Sequence, residues 1–195
     1  MKKKLLAGLA LGVMMFGVAG VASALTIDTN SSWDGSINSG WAASGQSLTV
    51  DAVENHFERI GFYFDSQSFG RTFDFILSDA LNGGNTLFST SFVVGDGLNV
   101  IDIDQDVIAN STIFALLDYN GFTGSTAHFS YTNSYAGGHS VFGAVGYMDN
   151  SFLELDHRFV AEFSNGGAPV PEPATMLLFG AGLVGLAGAR LRRKK

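Results

Sequence analysis

The chain has 195 residues, enough for about one domain, and is acidic, with 18 Asp and Glu against 11 Lys and Arg. Between positions 25 and 168, Arg59, Arg71 and Arg158 face 17 acidic residues, a net −14 with no lysine; this excludes non-specific nucleic-acid binding, which needs a basic face. The absence of Cys excludes disulfide scaffolds, thiolate metal sites and cysteine nucleophiles.

The N-terminus reads as a secretory signal peptide, residues 1–24. Lys2, Lys3 and Lys4 form a positive start, Leu5 to Val21 an apolar run, and Ala22-Ser23-Ala24 a small-residue cleavage site for signal peptidase. The mature chain then begins at Leu25, outside the cytoplasm.

Residues 25–168 read as one all-β domain. Leu48 and Val50 suggest a first strand, and Asp51 to Arg59 a helical turn or two. Ile60, Phe62 and Phe64 alternate with polar or small neighbours, as do Phe73, Phe75 and Leu77, then Phe88, Thr90, Phe92 and Val94. Further pairs are Ile101/Ile103 and Phe129/Tyr131, followed by Val141, Val145 and Tyr147. From Leu153 to Phe163 an eleven-residue alternation predicts one long strand with a wet face. Gly and Asn clusters such as Asn82–Asn85, Gly95–Gly97, Asn120-Gly121 and Gly137-Gly138 punctuate these runs. Eight or nine strands without covering helices predict a single antiparallel β-sandwich filled by 15 Phe.

The C-terminus, residues 169–195, has a different composition. All three prolines fall at 169, 171 and 173, ahead of an uncharged run from 174 to 189 and a basic tail at 190–195. At ~1.5 Å per residue the run makes a helix of about 24 Å, short of the ~30 Å hydrocarbon core. It is thus a short transmembrane helix that needs snorkelling arginines and local thinning, and the tail would stay on the cytoplasmic side. Val170-Pro171-Glu172-Pro173, a Gly/Ala/Leu helix and an Arg-rich end together resemble a PEP-CTERM sorting signal. The resemblance implies a Gram-negative, exopolysaccharide-producing source and recognition of Pro171, Glu172 and Pro173 by an exosortase. It further implies a membrane-anchored intermediate in the inner membrane, followed by release to the cell surface or extracellular matrix, as in a biofilm.

A second resemblance concerns the middle. Gln46–Val50, an aromatic strand, Tyr135–Gly138 and His157–Phe163 are similar in order to small jelly-roll modules of exported bacterial proteins. Some of these bind sugars.

No complete catalytic motif emerges, and the chain is expected not to be an enzyme. Gly138-His139-Ser140-Val141-Phe142 approaches the G-x-S-x-G nucleophile elbow, but Phe142 replaces the last Gly and no helix follows. Gly180-Ala181-Gly182-Leu183-Val184-Gly185 spells a dinucleotide fingerprint inside the apolar run, where its glycines suit helix packing in lipid. Asp102, Asp104 and Asp106 open like an EF-hand loop, yet Val107 and Ile113 stand where Gly and Glu are required. A calcium site assembled with the Gly95–Gly97 loop is the alternative to a solvated acidic strand, and no other cofactor is expected. The four histidines have no zinc spacing; Glu54 and Glu58 bracket His56. Trp33, Trp41 and Tyr135 are the candidates for stacking on an extracellular polysaccharide. The expectation is therefore a non-catalytic exported surface or matrix protein, with a carbohydrate-binding module, with or without calcium, as the alternative.

Overall fold

The computed structural model describes residues 24–150, 152 and 154–165. The signal sequence up to Ser23, with Ala22, the sorting motif Val170–Pro173, the apolar run 174–189 and the tail 190–195 lie outside the described residues.

The described chain is all-β. Its strands are β1 (Ala24–Asp28), β2 (Ile37–Ser39), β3 (Ala43–Thr49), β4 (His56–Tyr63), β5 (Thr72–Ser78), β6 (Thr86–Val93) and β7 (Leu98–Asp106). They continue as β8 (Thr112–Asp118), β9 (Ser125–Ser130), β10 (Ser140–Ala144), β11 (Tyr147–Asp149), β12 (Asp156–His157) and β13 (Phe159–Ser164). Two single-turn 3-10 segments, Asn30–Ser32 and Ser66–Ser68, are the helical elements among the described residues.

The strands pair antiparallel in three sheets: β1-β13-β4-β7, β11-β10-β3-β8-β5-β6 and the small β12-β9-β2. Period-two alternation sorts the side chains. From the first sheet Phe57, Ile60, Phe62, Phe159, Ala161 and Phe163 turn inward; from the second Leu48, Phe73, Phe75, Leu77, Ala115 and Leu117 join them in one core. Each such Phe or Leu stabilises the fold by roughly 1.5–3 kcal/mol relative to exposure. The other face of the second sheet carries a smaller cluster of Ala43, Leu116, Val141 and Met148.

Three features differ from the sequence expectation. Strand β8 is central, between β3 and β5, and Ile113, Ala115, Leu116 and Leu117 are buried on both of its faces. A strand covered on two sides loses the alternation by which a half-wet strand is recognised. Next, the long strand expected over 153–163 is two strands in different sheets: β12 pairs with β9, while β13 pairs with β1 and β4. The alternation survives the switch because His157 and Phe159 both point inward on either side of Arg158. Finally, Asp51–Arg59 is a loop running into β4, not a helical turn, and Gly146 at φ 86° ends the run expected through Tyr147, which is 87% exposed.

Candidate functional site

The buried interior is not wholly apolar. Strand β3 places Ser44, Gln46 and Leu48 on its inward face; Leu48 joins the core, whereas Ser44 and Gln46 bind polar partners. The ring of His157 lies between two hydroxyls: Ser44 Oγ is 2.7 Å from Nε2 and Ser140 Oγ is 2.8 Å from Nδ1. Ser44 also hydrogen-bonds the Tyr119 hydroxyl, which accepts from Asn38 Nδ2 at 3.2 Å; that same amide donates to Thr126 Oγ1 at 2.9 Å. On the other side Gln46 Nε2 donates to Asp156 Oδ1 at 2.8 Å, and its Oε1 accepts from the His157 backbone N–H at 2.9 Å. The backbone N–H groups of Ser134 and Tyr135 both donate to Asp156 Oδ2 at 2.7 Å.

Burial lowers the His157 pKa to about 3, so the ring is neutral. Burial likewise raises the pKa of Asp156 and Tyr119, against the hydrogen bonds they receive. The Ser–His contact superficially resembles a hydrolase pair. However, Ser44, Ser140 and His157 are each 0% exposed, and Asp156 binds Gln46 rather than the imidazole. Ser140 opens strand β10 and does not sit on a strand-to-helix turn. In this arrangement both hydroxyls and the ring are buried and hydrogen-bonded to one another, so each buried polar group has a partner.

Above this network lies a cavity of about 270 Å³. Trp41, Phe129, Tyr131, Phe142 and Phe152 supply its aromatic walls, with Asn38 and Ser39 among its polar lining and no charged side chain among the described residues. Phe142 and His157 have ring centroids 5.5 Å apart in a stacked arrangement, while Asn38 connects the cavity to Tyr119. Trp41, in the β2–β3 connection, and Tyr131, just after β9, are 41% and 66% exposed at the rim. Both are exposed aromatic residues beside the buried Phe129 and Phe142, as in ligand sites with a few placed polar groups.

Of the three aromatic residues singled out in the sequence, the structure brings only Trp41 to this cavity. Trp33 stacks on His128 at 4.3 Å between ring centroids, has the Arg158 guanidinium 4.4 Å from its ring, and donates from Nε1 to the Ser36 carbonyl. Tyr135 is a latch on β3: its hydroxyl accepts from Thr49 N–H at 3.2 Å and its ring meets Phe159 edge-on. Tyr131 takes the place expected for them. Its strand alternation was legible, but its position at a strand end, where the chain leaves the core, was not.

The acidic trio separates. Asp102 lies opposite Arg59 in the β4–β7 ladder. Asp104 and Asp106 instead hold His56: Nε2 is 3.0 Å from Asp104 Oδ1 and Nδ1 is 2.7 Å from Asp106 Oδ1. A bulge between Phe57 and Arg59, and a left-handed φ of 53° at Asp104, place both carboxylates against one ring. The Asp106 hydrogen bond is the largest factor raising the His56 pKa, with Asp104 adding to it against burial. His56, Glu58 and Asp104 have potential ligand atoms within 4.8 Å of one another. An imidazole beside carboxylates suits a transition-metal cation better than calcium, which takes oxygen ligands. The Gly95–Gly97 loop stands at the other end of the nine-residue β7, pinned by the Asn99 side chain, and so does not join this group.

A family profile, the PEP-CTERM protein-sorting motif, matches residues 169–194. The chain carries a PEP-CTERM sorting signal. That motif implies an exported protein, processed by an exosortase through a C-terminal membrane-anchored intermediate. No curated protein matches the chain. Among solved structures it is similar to the cysteine protease and lectin-like domains of Cwp84, a surface layer associated protein of Clostridium difficile. The identity is 11%, the TM-score 0.48, and the match covers 67% of this chain and 33% of that one, too slight a likeness to bear on function.

Proposed function

We propose that this protein is a non-catalytic component of the cell surface or extracellular matrix, built on a jelly-roll-like antiparallel β-sandwich and released there after exosortase processing. Its molecular role in this reading is to hold a neutral glycan. The observation that supports the role is the uncharged aromatic cavity at Trp41 and Tyr131, whose two exposed rings can stack on sugar rings while Asn38 and Ser39 offer polar contacts. The charge of the domain favours a neutral polymer, since a net −14 repels acidic polysaccharide. Calcium is an optional bridge to anionic polymers.

Isothermal titration of the exported protein with neutral and uronic-acid oligosaccharides, with and without calcium, tests the proposal. Binding of a neutral oligosaccharide that is lost in Trp41→Ala and Tyr131→Ala, and kept in Tyr135→Phe, is the expected result. Silence toward every glycan, or binding indifferent to Trp41 and Tyr131, overturns the glycan role. Mass spectrometry of the same material separately tests processing: retention of residues 174–195 would overturn the release step.

A further inference from the structure

We infer that strand β6 is a self-pairing edge through which two copies of this chain join their six-stranded sheets. Strand β6 ends that sheet, with β5 as its partner, and an edge strand presents N–H and C=O groups ready to pair with another chain. Proteins protect such edges with charge, proline, bulges or shortness. The other edges described here have that protection. Strand β1 has five residues and ends in Asp28, β11 has three and ends in Asp149, and β12 has two. Strand β2 has three residues and an irregular register, and β7 carries Asp102, Asp104 and Asp106. Strand β6 runs eight residues, Thr-Leu-Phe-Ser-Thr-Ser-Phe-Val, without charge or proline, and its one register irregularity against β5 lies at its start, where Thr86 and Phe88 face Ser78 and Leu77. From Ala80 to Gly95 the sequence contains no ionisable residue. On a domain of net −14 strand β6 itself adds no carboxylate to such a contact; that of Asp74, on β5, is set back one strand and accepts from the Ser91 hydroxyl at 2.5 Å.

The sequence of β6 identifies the occupant as a second copy. Leu87-Phe88-Ser89-Thr90-Ser91-Phe92-Val93 reads as a near palindrome about Thr90. An antiparallel partner centred there sets Phe88 opposite Phe92, Ser89 opposite Ser91, Leu87 opposite Val93 and Thr90 opposite itself. Directly opposed residues share a face, so parity is kept. Phe88 and Phe92, which pack against the core, meet on the inner side, while the exposed Leu87, Ser89, Ser91 and Val93 meet on the outer side. Aromatic pairs and Ser/Thr pairs across strands are favourable, and a two-fold contact of this kind closes as a dimer instead of growing into a fibre.

The cysteine-free chain makes the test direct. The full chain in mild detergent is examined by light scattering for its protein mass, alongside Thr90→Cys and Val100→Cys under mild oxidation. Val100, 49% exposed on β7, is the control for random encounter. The expected result is a protein mass twice that of one chain, disulfide dimers with Thr90→Cys but not with Val100→Cys, and complete loss of the dimer in Ser89→Lys/Ser91→Lys. Circular dichroism of the lysine variant shows that the fold is intact. A monomeric chain, equal cross-linking at both cysteines, or a dimer unaffected by the lysines overturns the inference.

Discussion

Ala24 and Ser164 lie opposite each other at one end of the β1–β13 ladder, so the first and last strands of the described chain are hydrogen-bonded neighbours. The ladder continues through Leu25–Phe163 to Asp28–Val160, and β13 connects it to β4. Cleavage after Ala24 leaves four of the five pairs in place and preserves Ile27, whose side chain is 8% exposed and belongs to the core.

The ladder should be a structural requirement despite its position at a sheet edge. Ile27→Ala is expected to lower the unfolding free energy by about 2 kcal/mol, and Phe163→Ala, which also removes the stack on Phe57, by about 3–4 kcal/mol. Urea unfolding of the exported protein reads both. A change below about 0.5 kcal/mol, as for an ordinary surface residue, would mean that β1 contributes little.

His157 predicts an acid-sensitive fold. Its folded pKa, about 3, lies below the ordinary value of 6.5, so the unfolded chain binds the extra proton between these values. Stability is therefore unaffected by this group above about pH 6.5 and falls as pH drops toward 3, by at most about 1.4 kcal/mol per pH unit. In His157→Gln the acid limb of a pH-dependent urea series should be flatter. An unchanged limb would assign the acid sensitivity to other groups.

His56 has the opposite sign. Its pKa is raised by Asp106 and Asp104, so its contribution is fully present below the unfolded value of 6.5 and is lost as pH rises through the folded pKa. NMR titration of the imidazole should show a pKa above 6.5 in the parent and a lower one in Asp106→Asn. A normal titration in the parent would mean that the paired carboxylates do not hold the ring in solution.

Gly138 tests the close approach between its loop and β3. A Cβ there would run into the Ser47 carbonyl, next to the point where Ser47 N–H donates to the His139 carbonyl at 2.9 Å. Gly138→Ala should cost about 1–3 kcal/mol, whereas Gly35→Ala, with open space but a φ of 95°, is strained by its backbone alone. Thermal unfolding of the two variants, compared with the parent, measures each cost.

Much of the fold was readable because side-chain alternation is a local property. Phe73, Phe75 and Leu77, or Phe159, Ala161 and Phe163, face the core because neighbouring residues of an extended chain point to opposite sides. Of strand β3 only the end at Leu48 was open to this reading, since Ser44 and Gln46 also face inward and only the distant Asp156, His157 and Tyr119 make that burial tolerable.

The sequence by itself determined the acidic, lysine-free character of the middle segment, its all-β nature and the PEP-CTERM signal, because each is written in composition, period or contiguous motif. The tertiary structure decided which of two tryptophans is available, which of three aspartates hold His56, and that Ser140 and His157 meet in a sealed interior. Those outcomes depend on contacts between residues far apart in the chain, as Ser44 and His157 are, and no local pattern specifies which distant strand will arrive beside another.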